Sequence, residues 1–428
     1  MGDAVLTPMA PVRTASSTRS NAWRWSVVAL CTLASIIAYV DRVNLSVAVI
    51  DTDFKRVFNL SNTDRGLVNS AFFWSYAALQ IPSGWLVDKY GSKLPLALSF
   101  VIWSILSAAT ALATGFTELF SLRFLLGIGE APMHPASMRW IRYHFAEKER
   151  GLAIGIFMSG SKYGPALGTL AAAWLIQAYG WRAMFMILGV GSLLWLIPWM
   201  TIVKNDRHEV APGATESQEA ASVPFGRLMA SPVLWGTIVG TFCYMYFVYF
   251  CLTWMPAYLN EARHMSLASS SLYTTFSFAG MATVGVLGGF AADRLIARGY
   301  DPINVRKGFT IAGFLIASTE LIGARSSSLE VALFFSVFSL SGLGLATANY
   351  WALTQTLIPR GAIGRIVGIQ NCAASLPGIV APILTGWLVQ RTGSYEASMN
   401  AVWVFLLVGI GSYLFLVRRK YAPVAVVA

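Results

Sequence analysis

Six ionisable side chains stand in stretches otherwise apolar enough to cross a membrane. Asp41 and Arg42 are adjacent in "AYVDRVNLSVAV", inside an apolar run from Trp25 to Ile50. Arg123 and Glu130 share "LRFLLGIGEAPMHPA" with His134, and Lys162 interrupts "GIFMSGSKYGPALG". A full charge costs about 2.5–3.5 kcal/mol near a bilayer centre on insertion scales, so such residues mark substrate or ion paths by default. The five full charges all fall in the N-terminal half and sum to three positive and two negative. Protonating either carboxylate leaves the set more positive. A cavity so lined attracts an organic anion and can trade its affinity for that anion against a proton. The competing reading is an ion-pair network that only fixes helix packing, and the expense of charge in a membrane favours function.

Spacing says how these groups meet. Counting about 1.5 Å per residue puts Asp41 and Arg123 roughly 10 Å and 9 Å below the outer ends of their helices, at one level, and Glu130 and Lys162 close to mid-membrane. Arg123, Gly127, Glu130 and His134 follow at intervals of 4, 3 and 4, which is one helix face. Gly127 and Gly129 admit a close neighbour, while Pro132 and Pro135 loosen the helix. Adjacent residues diverge by about 100°, so Asp41 and Arg42 face different parts of one cavity. Tyr39, Tyr76, Tyr244, Trp351, Gln370 and Asn371 complete a site with aromatic and amide groups.

The elements that must position these residues are membrane helices. The 428 residues are 56% hydrophobic and 12% charged, half the charge of a soluble domain. Apolar runs bounded by charged or Gly/Pro-rich breaks give twelve helices, at 24–48, 66–87, 94–114, 117–143, 151–176, 182–203, 232–259, 268–292, 307–324, 329–356, 362–389 and 396–417. The expected fold is therefore an all-α polytopic membrane protein of two six-helix bundles. A cytoplasmic tail at 1–22 precedes the first bundle, 23–203; a linker at 204–231 leads to the second, 232–418, and a cytoplasmic tail at 419–428 follows. With both termini cytoplasmic, the cytoplasmic segments hold 21 Lys and Arg and the external ones seven, as the positive-inside rule requires. The net charge of +11 thus reflects topology and not nucleic-acid binding. "GWLVDKYGSK" and "GGFAADRLIARG" form an internal repeat, with Gly84 and Gly289, Asp88 and Asp293, and Lys89 and Arg294 all 205 positions apart.

No cleaved signal peptide is expected. Cys31, Cys243, Cys251 and Cys372 lie in apolar runs and read as small buried side chains, with no disulfide or metal site. The four histidines are scattered and no HExxH or GxSxG occurs, so an enzyme is not expected. With tails this short, a signalling domain is not expected.

"YVDRVNLSVA", "AFFWSYAALQIPSGWLVDKYGSK", "RFLLGIGEAP", "YFVYFCLTWMPAYL" and "GIQNCAASLPGIVAPILTGWLVQRTGSY" resemble the anion:cation symporter family of the major facilitator superfamily, above all bacterial D-galactonate, glucarate and hexuronate proton symporters. The resemblance implies that Asp41 and Glu130 carry protons, that Arg123 couples them, and that Arg42, Tyr76 and Asn371 contact the substrate. It further implies that Gly84, Asp88 and Lys93 form a cytoplasmic gate motif, which Asp293 and Arg294 repeat. Lys162 and His134 depart from the family's pattern and add cationic character. The expectation is proton-coupled uptake of a sugar acid by alternating access across a bacterial inner membrane, by a monomer needing no cofactor beyond the protons. An organic-anion exchanger or facilitator, or a symporter of a non-sugar carboxylate, is the alternative.

Overall fold

The computed structural model describes residues 21–145, 147–204, 206, 225–357 and 363–422. Most of the two expected tails and of the linker lies outside the described residues. All regular structure among the described residues is helical. The first half holds α1 (Asn21–Ala48), α2 (Thr52–Phe58), α3 (Asn62–Tyr90), α4 (Lys93–Ala109), α5 (Phe116–Glu130), α6 (Met133–His144), α7 (Glu147–Ser192) and α8 (Leu196–Ile202). The second half holds α9 (Phe225–Met229), α10 (Pro232–Ala257), α11 (Leu267–Ala297), α12 (Pro302–Ser318), α13 (Glu320–Arg325), α14 (Leu329–Leu357), α15 (Ile363–Ser375), α16 (Pro377–Thr392) and α17 (Glu396–Phe415).

These trace twelve crossings. In α7, Gly180 adopts φ 83° and ψ 165°, a conformation that favours glycine, and turns the chain into a second crossing that α8 completes. Three expected helices are broken: α5 gives way to α6 at Ala131 and Pro132, α12 to α13 at Thr319, and α15 to α16 at Leu376. Proline explains the first and third, because Pro132 and Pro377 lack the amide that would continue the ladder. At the second, the Ser318 and Thr319 hydroxyls donate to the carbonyls of Phe314 and Ile316 and compete with the helix for them.

Small residues set the spacing around the charged region. Gly160 packs on Thr32 and Ser35, Gly164 on Ile36 and Tyr39, and Gly168 on Val40 and Val43. The positions advance together by four, so α1 and the first arm of α7 run parallel and in close contact. Gly127 presses α5 onto α3, where a β-carbon would stand 2.1 Å from the Phe72 carbonyl oxygen. Gly127→Ala is expected to destabilise the first half by about 1–3 kcal/mol, the usual cost of overpacking. A thermal unfolding curve of the purified protein checks this: its midpoint should fall by several degrees.

The halves meet at the end that the charge bias assigns to the outside. There α3 lies along α16, with Gly66 on the Pro382 carbonyl, Gly386 on that of Asn62, and Gly378 on the Phe73 ring. The Thr275 hydroxyl donates to the Ala166 carbonyl and the Thr63 amide to Gln390 Oε1. At the cytoplasmic end Gly84 and Gly155 face open space. The structure is closed outside.

Candidate functional site

The break after α5 leaves Glu130 at a helix end, fully buried, where it meets Arg42 of α1. Arg42 Nε donates to Glu130 Oε2 at 3.0 Å and Nη2 lies 2.9 Å from the same oxygen. Oε1 has no hydrogen-bond partner. Aromatic rings enclose the guanidinium: its central carbon lies 4.5 Å from the Tyr39 centroid, 4.6 Å from Phe72 and 4.7 Å from Tyr76. A guanidinium stacks well on such faces. Glu130 is thus the one carboxylate in direct contact with Arg42 among the described residues.

Arg123 shares a helix face with Glu130, as its spacing predicts, but does not pair with it. Arg123 Nη1 donates instead to the backbone carbonyl of Asp41 at 2.8 Å, and Nη2 to Asn44 Oδ1 at 2.9 Å. The Phe185 ring lies 5.5 Å from it. Asp41 meets Arg123 at one level, as its depth predicts, but through its main chain. Its carboxylate Oδ1 accepts from Asn44 Nδ2 at 3.3 Å and from the Ser107 hydroxyl, and Oδ2 has no partner. One ion pair, Arg42–Glu130, thus stands beside a polar network around Asp41 and Arg123, and the buried oxygens Glu130 Oε1 and Asp41 Oδ2 have capacity for a further proton or donor.

The remaining expected residues fall into two groups. Tyr39, Tyr76 and Lys162 belong to the first half, with the Lys162 amine 5.6 Å from the Tyr244 ring of the second. Tyr244 is buried and shares a 2.6 Å hydrogen bond with Thr347. Gln370 Nε2 donates to the Thr241 hydroxyl at 2.8 Å while its Oε1 is unpartnered. Asn371 and Trp351 are half-buried. His134 sits beyond the helix break with its ring 5.3 Å from Phe157, so the four-residue face ends at Glu130. The gate-motif residues keep to their own halves: Asp88 lies 3.7 Å from Arg139, Asp293 lies 2.9 Å from Arg306, and Lys93 donates to the Met200 carbonyl. Arg294 stacks on Phe290, and Gly84 is unopposed.

Two further expectations need correction. Cys372 is exposed, although the other three cysteines are buried, and all four are free thiols. The intramembrane charges are not confined to the first half. Glu320, in α13, is buried and accepts from the hydroxyls of Ser336 and Ser339 on α14.

Sequence reasoning also passed over the outer closure. The π-helical turn Tyr258–Ala262 after α10 presents Glu261, whose carboxylate takes Arg65 Nη1 at 3.0 and 3.1 Å, Lys55 Nζ at 3.0 Å and the Tyr395 hydroxyl at 2.8 Å. Arg65 and Lys55 belong to one half, Glu261 and Tyr395 to the other. Asn44 and Ser107 were missed as well, being residue types too common for composition to flag. Among the described residues no cluster of His, Cys, Asp and Glu could hold a metal ion.

Residues 31–382 match the family profile described as "Major Facilitator Superfamily". The chain is 30% identical over 425 residues to the "Probable galactarate/D-glucarate transporter GudP" of Bacillus subtilis (strain 168), covering 92% of each. It is 30% identical over 415 residues to the "Probable L-galactonate transporter" of Escherichia coli (strain K12), covering 94% of this chain and 91% of that one. In three dimensions it is similar to an inward-facing bacterial homologue of the human lysosomal transporter Spinster, with a TM-score of 0.78, 19% identity, and coverage of 94% of this chain and 99% of the other. A D-xylose–proton symporter superposes with a TM-score of 0.71 and 17% identity, covering 92% of this chain and 97% of that one. The twelve crossings, the two bundles and these likenesses converge: the chain belongs to the major facilitator superfamily and is a multi-pass membrane transporter, not an enzyme.

Proposed function

We propose that the chain takes up a sugar acid together with protons, across a bacterial inner membrane, by alternating access. The observation that carries the reading is the buried Arg42–Glu130 pair inside its aromatic cage. While Glu130 is ionised it occupies the guanidinium. A proton on Glu130 removes that competitor and leaves Arg42 for the substrate's carboxylate. Burying a charge without a partner is costly, so the empty carrier reorients with Glu130 ionised and paired, and the loaded one with Glu130 neutral. Asp41, with one oxygen free, is the second proton carrier. Arg123, tied to the Asp41 main chain and Asn44, couples the two.

The substrate lies between the halves, touched by Tyr39, Tyr76, Lys162 and Arg42 from one and by Tyr244, Trp351, Gln370 and Asn371 from the other. Binding near the bilayer midplane between repeats is how such carriers operate. Asp88 with Gly84 and Lys93, and Asp293 with Arg294, then serve the cytoplasmic gate when those ends close. The transporter acts as a monomer with no cofactor other than protons. The names of the relatives, which specify galactarate, glucarate and galactonate, support the substrate class.

The test is a pH indicator sealed inside proteoliposomes. Adding a sugar acid outside should acidify the lumen in a protein-dependent manner. Uptake of the anion without acidification would favour an exchanger or facilitator.

A further inference from the structure

The outer closure encloses a cavity that the mechanism above leaves unused. It measures about 330 Å³, and its polar lining is Lys55, Asn59, Asn62 and Arg65 of the first half with Glu261 of the second. Two cations therefore face one carboxylate. The other acidic groups of α2 and the start of α3 are occupied: Asp51 and Asp64 accept from the amides of Phe54 and Ser61, and Asp53 pairs with Arg56 at 3.1 Å. Arg65 is buried, and its Nη1 donates to Glu261 and to Asn62 Oδ1. Its Nε and Nη2 have no hydrogen-bond partner among the described residues. A guanidinium carries donors enough for a second acceptor group, and buried donors left without one are costly.

Glu261 shows which chemistry this place holds. Its one carboxylate is gripped by Arg65, Lys55 and the Tyr395 hydroxyl. When the outer end opens, Arg65 and Lys55 stay with the first half, and Glu261 leaves with the second. Trp254, whose ring lies 5.1 Å from the Arg65 guanidinium, leaves as well. Gly66, the neighbour of Arg65, rests on the Pro382 carbonyl at the same boundary, so parting the halves there uncovers the guanidinium.

We infer that Arg65 and Lys55 form an outer capture site for a carboxylate of the incoming anion, and that Glu261 takes the anion's place on them when the halves close. The inference rests on the uptake of an organic anion by alternating access proposed above. The planar fork of Arg65 suits a carboxylate, and Lys55, whose side chain is 43% exposed, adds a charge reachable from solvent. Cations so placed at an entrance raise the rate of encounter with an anion. As the anion moves inward, Glu261 reclaims both cations, and neither is buried without a counter-ion.

The test compares variants of protein that already carries Glu261→Gln, in which the outer ion pairs are gone. Initial uptake of labelled galactarate into proteoliposomes gives kcat/KM. Adding Lys55→Gln should lower it about fivefold or more at low salt. Adding Arg56→Gln instead removes the same charge at the next position and should change it less than twofold. Both side chains are exposed on α2, so neither change disturbs packing. Raising salt from about 0.1 M to 1 M shortens the screening length from about 10 Å to 3 Å and should erase the Lys55 effect. No loss on adding Lys55→Gln would overturn the inference and leave Lys55 a part of the closure alone. An equal loss with Arg56→Gln would overturn it too, and assign the attraction to the general field of the entrance. Either result, with wild-type uptake intact, leaves the sugar-acid reading standing. Wild-type protein that takes up no galactarate would contradict that reading, and the inference with it.

Discussion

Glu130→Gln is expected to abolish accumulation of substrate against its gradient while preserving binding and exchange. The glutamine oxygen can still accept from Arg42, so the guanidinium keeps a partner inside its aromatic cage. What is lost is the negative charge that competes with the substrate's carboxylate. With Glu130, a fall in pH neutralises the competitor, so anion affinity rises as pH falls. With glutamine, Arg42 is available at every pH and that dependence should flatten. Accumulation driven through one proton reaches about tenfold per pH unit, and the variant should show a ratio near one. Counterflow of labelled substrate should persist, which separates lost coupling from lost folding. Retained uphill uptake would remove Glu130 from the coupling mechanism. Glu130→Leu should fare worse, since removing one partner of a buried pair costs about 3–5 kcal/mol.

Gly386→Ala and Gly66→Ala are each expected to prevent the outer end from closing. A β-carbon at Gly386 would lie 2.3 Å from the Asn62 carbonyl oxygen, and one at Gly66 would lie 2.4 Å from that of Pro382. The obstructing atoms are backbone of the facing half, so relief requires the halves to separate. A cost of about 1–3 kcal/mol confined to one state shifts its population about 5- to 150-fold. Glu261→Gln should act in the same direction, because Glu261 gathers Arg65, Lys55 and Tyr395 across the boundary. Spin labels at the exposed positions Asp53 and Arg391, one on each half, report the effect. The distance between them should lengthen by several ångström in each variant. An unchanged distance would show that the glycines pack without governing closure.

Much of this architecture is legible in the residues. Apolar runs of spanning length, the Lys and Arg bias and the repeated glycine–aspartate motif specify twelve crossings in two halves, since the bilayer leaves the backbone few alternatives. Periodicity also finds which charges turn inward. It does not find their partners. Helix spacing puts Arg123 and Glu130 on one face, but arginine is long, and whichever guanidinium has the better competing acceptor goes elsewhere. Asn44 and the Asp41 carbonyl provide those acceptors for Arg123, which leaves Arg42 to Glu130. Glu320 went unread for a related reason. Five residues before Arg325 near a helix end, it resembles an interfacial charge, and only the approach of α14 supplies the serine hydroxyls that let it be buried. Glu261 belongs to an outer turn whose meaning depends on the other half. Interactions within one helix are written in its own sequence, whereas those between bundles depend on how the bundles dock.

Uptake of galactarate into proteoliposomes bearing an inward proton gradient, with and without a protonophore, tests proton coupling most directly. The Arg42–Glu130 arrangement predicts accumulation above the external concentration that collapses when the protonophore is added. Equal uptake in both conditions would contradict the account, and would leave Asp41 and Glu130 as structural partners of the arginines.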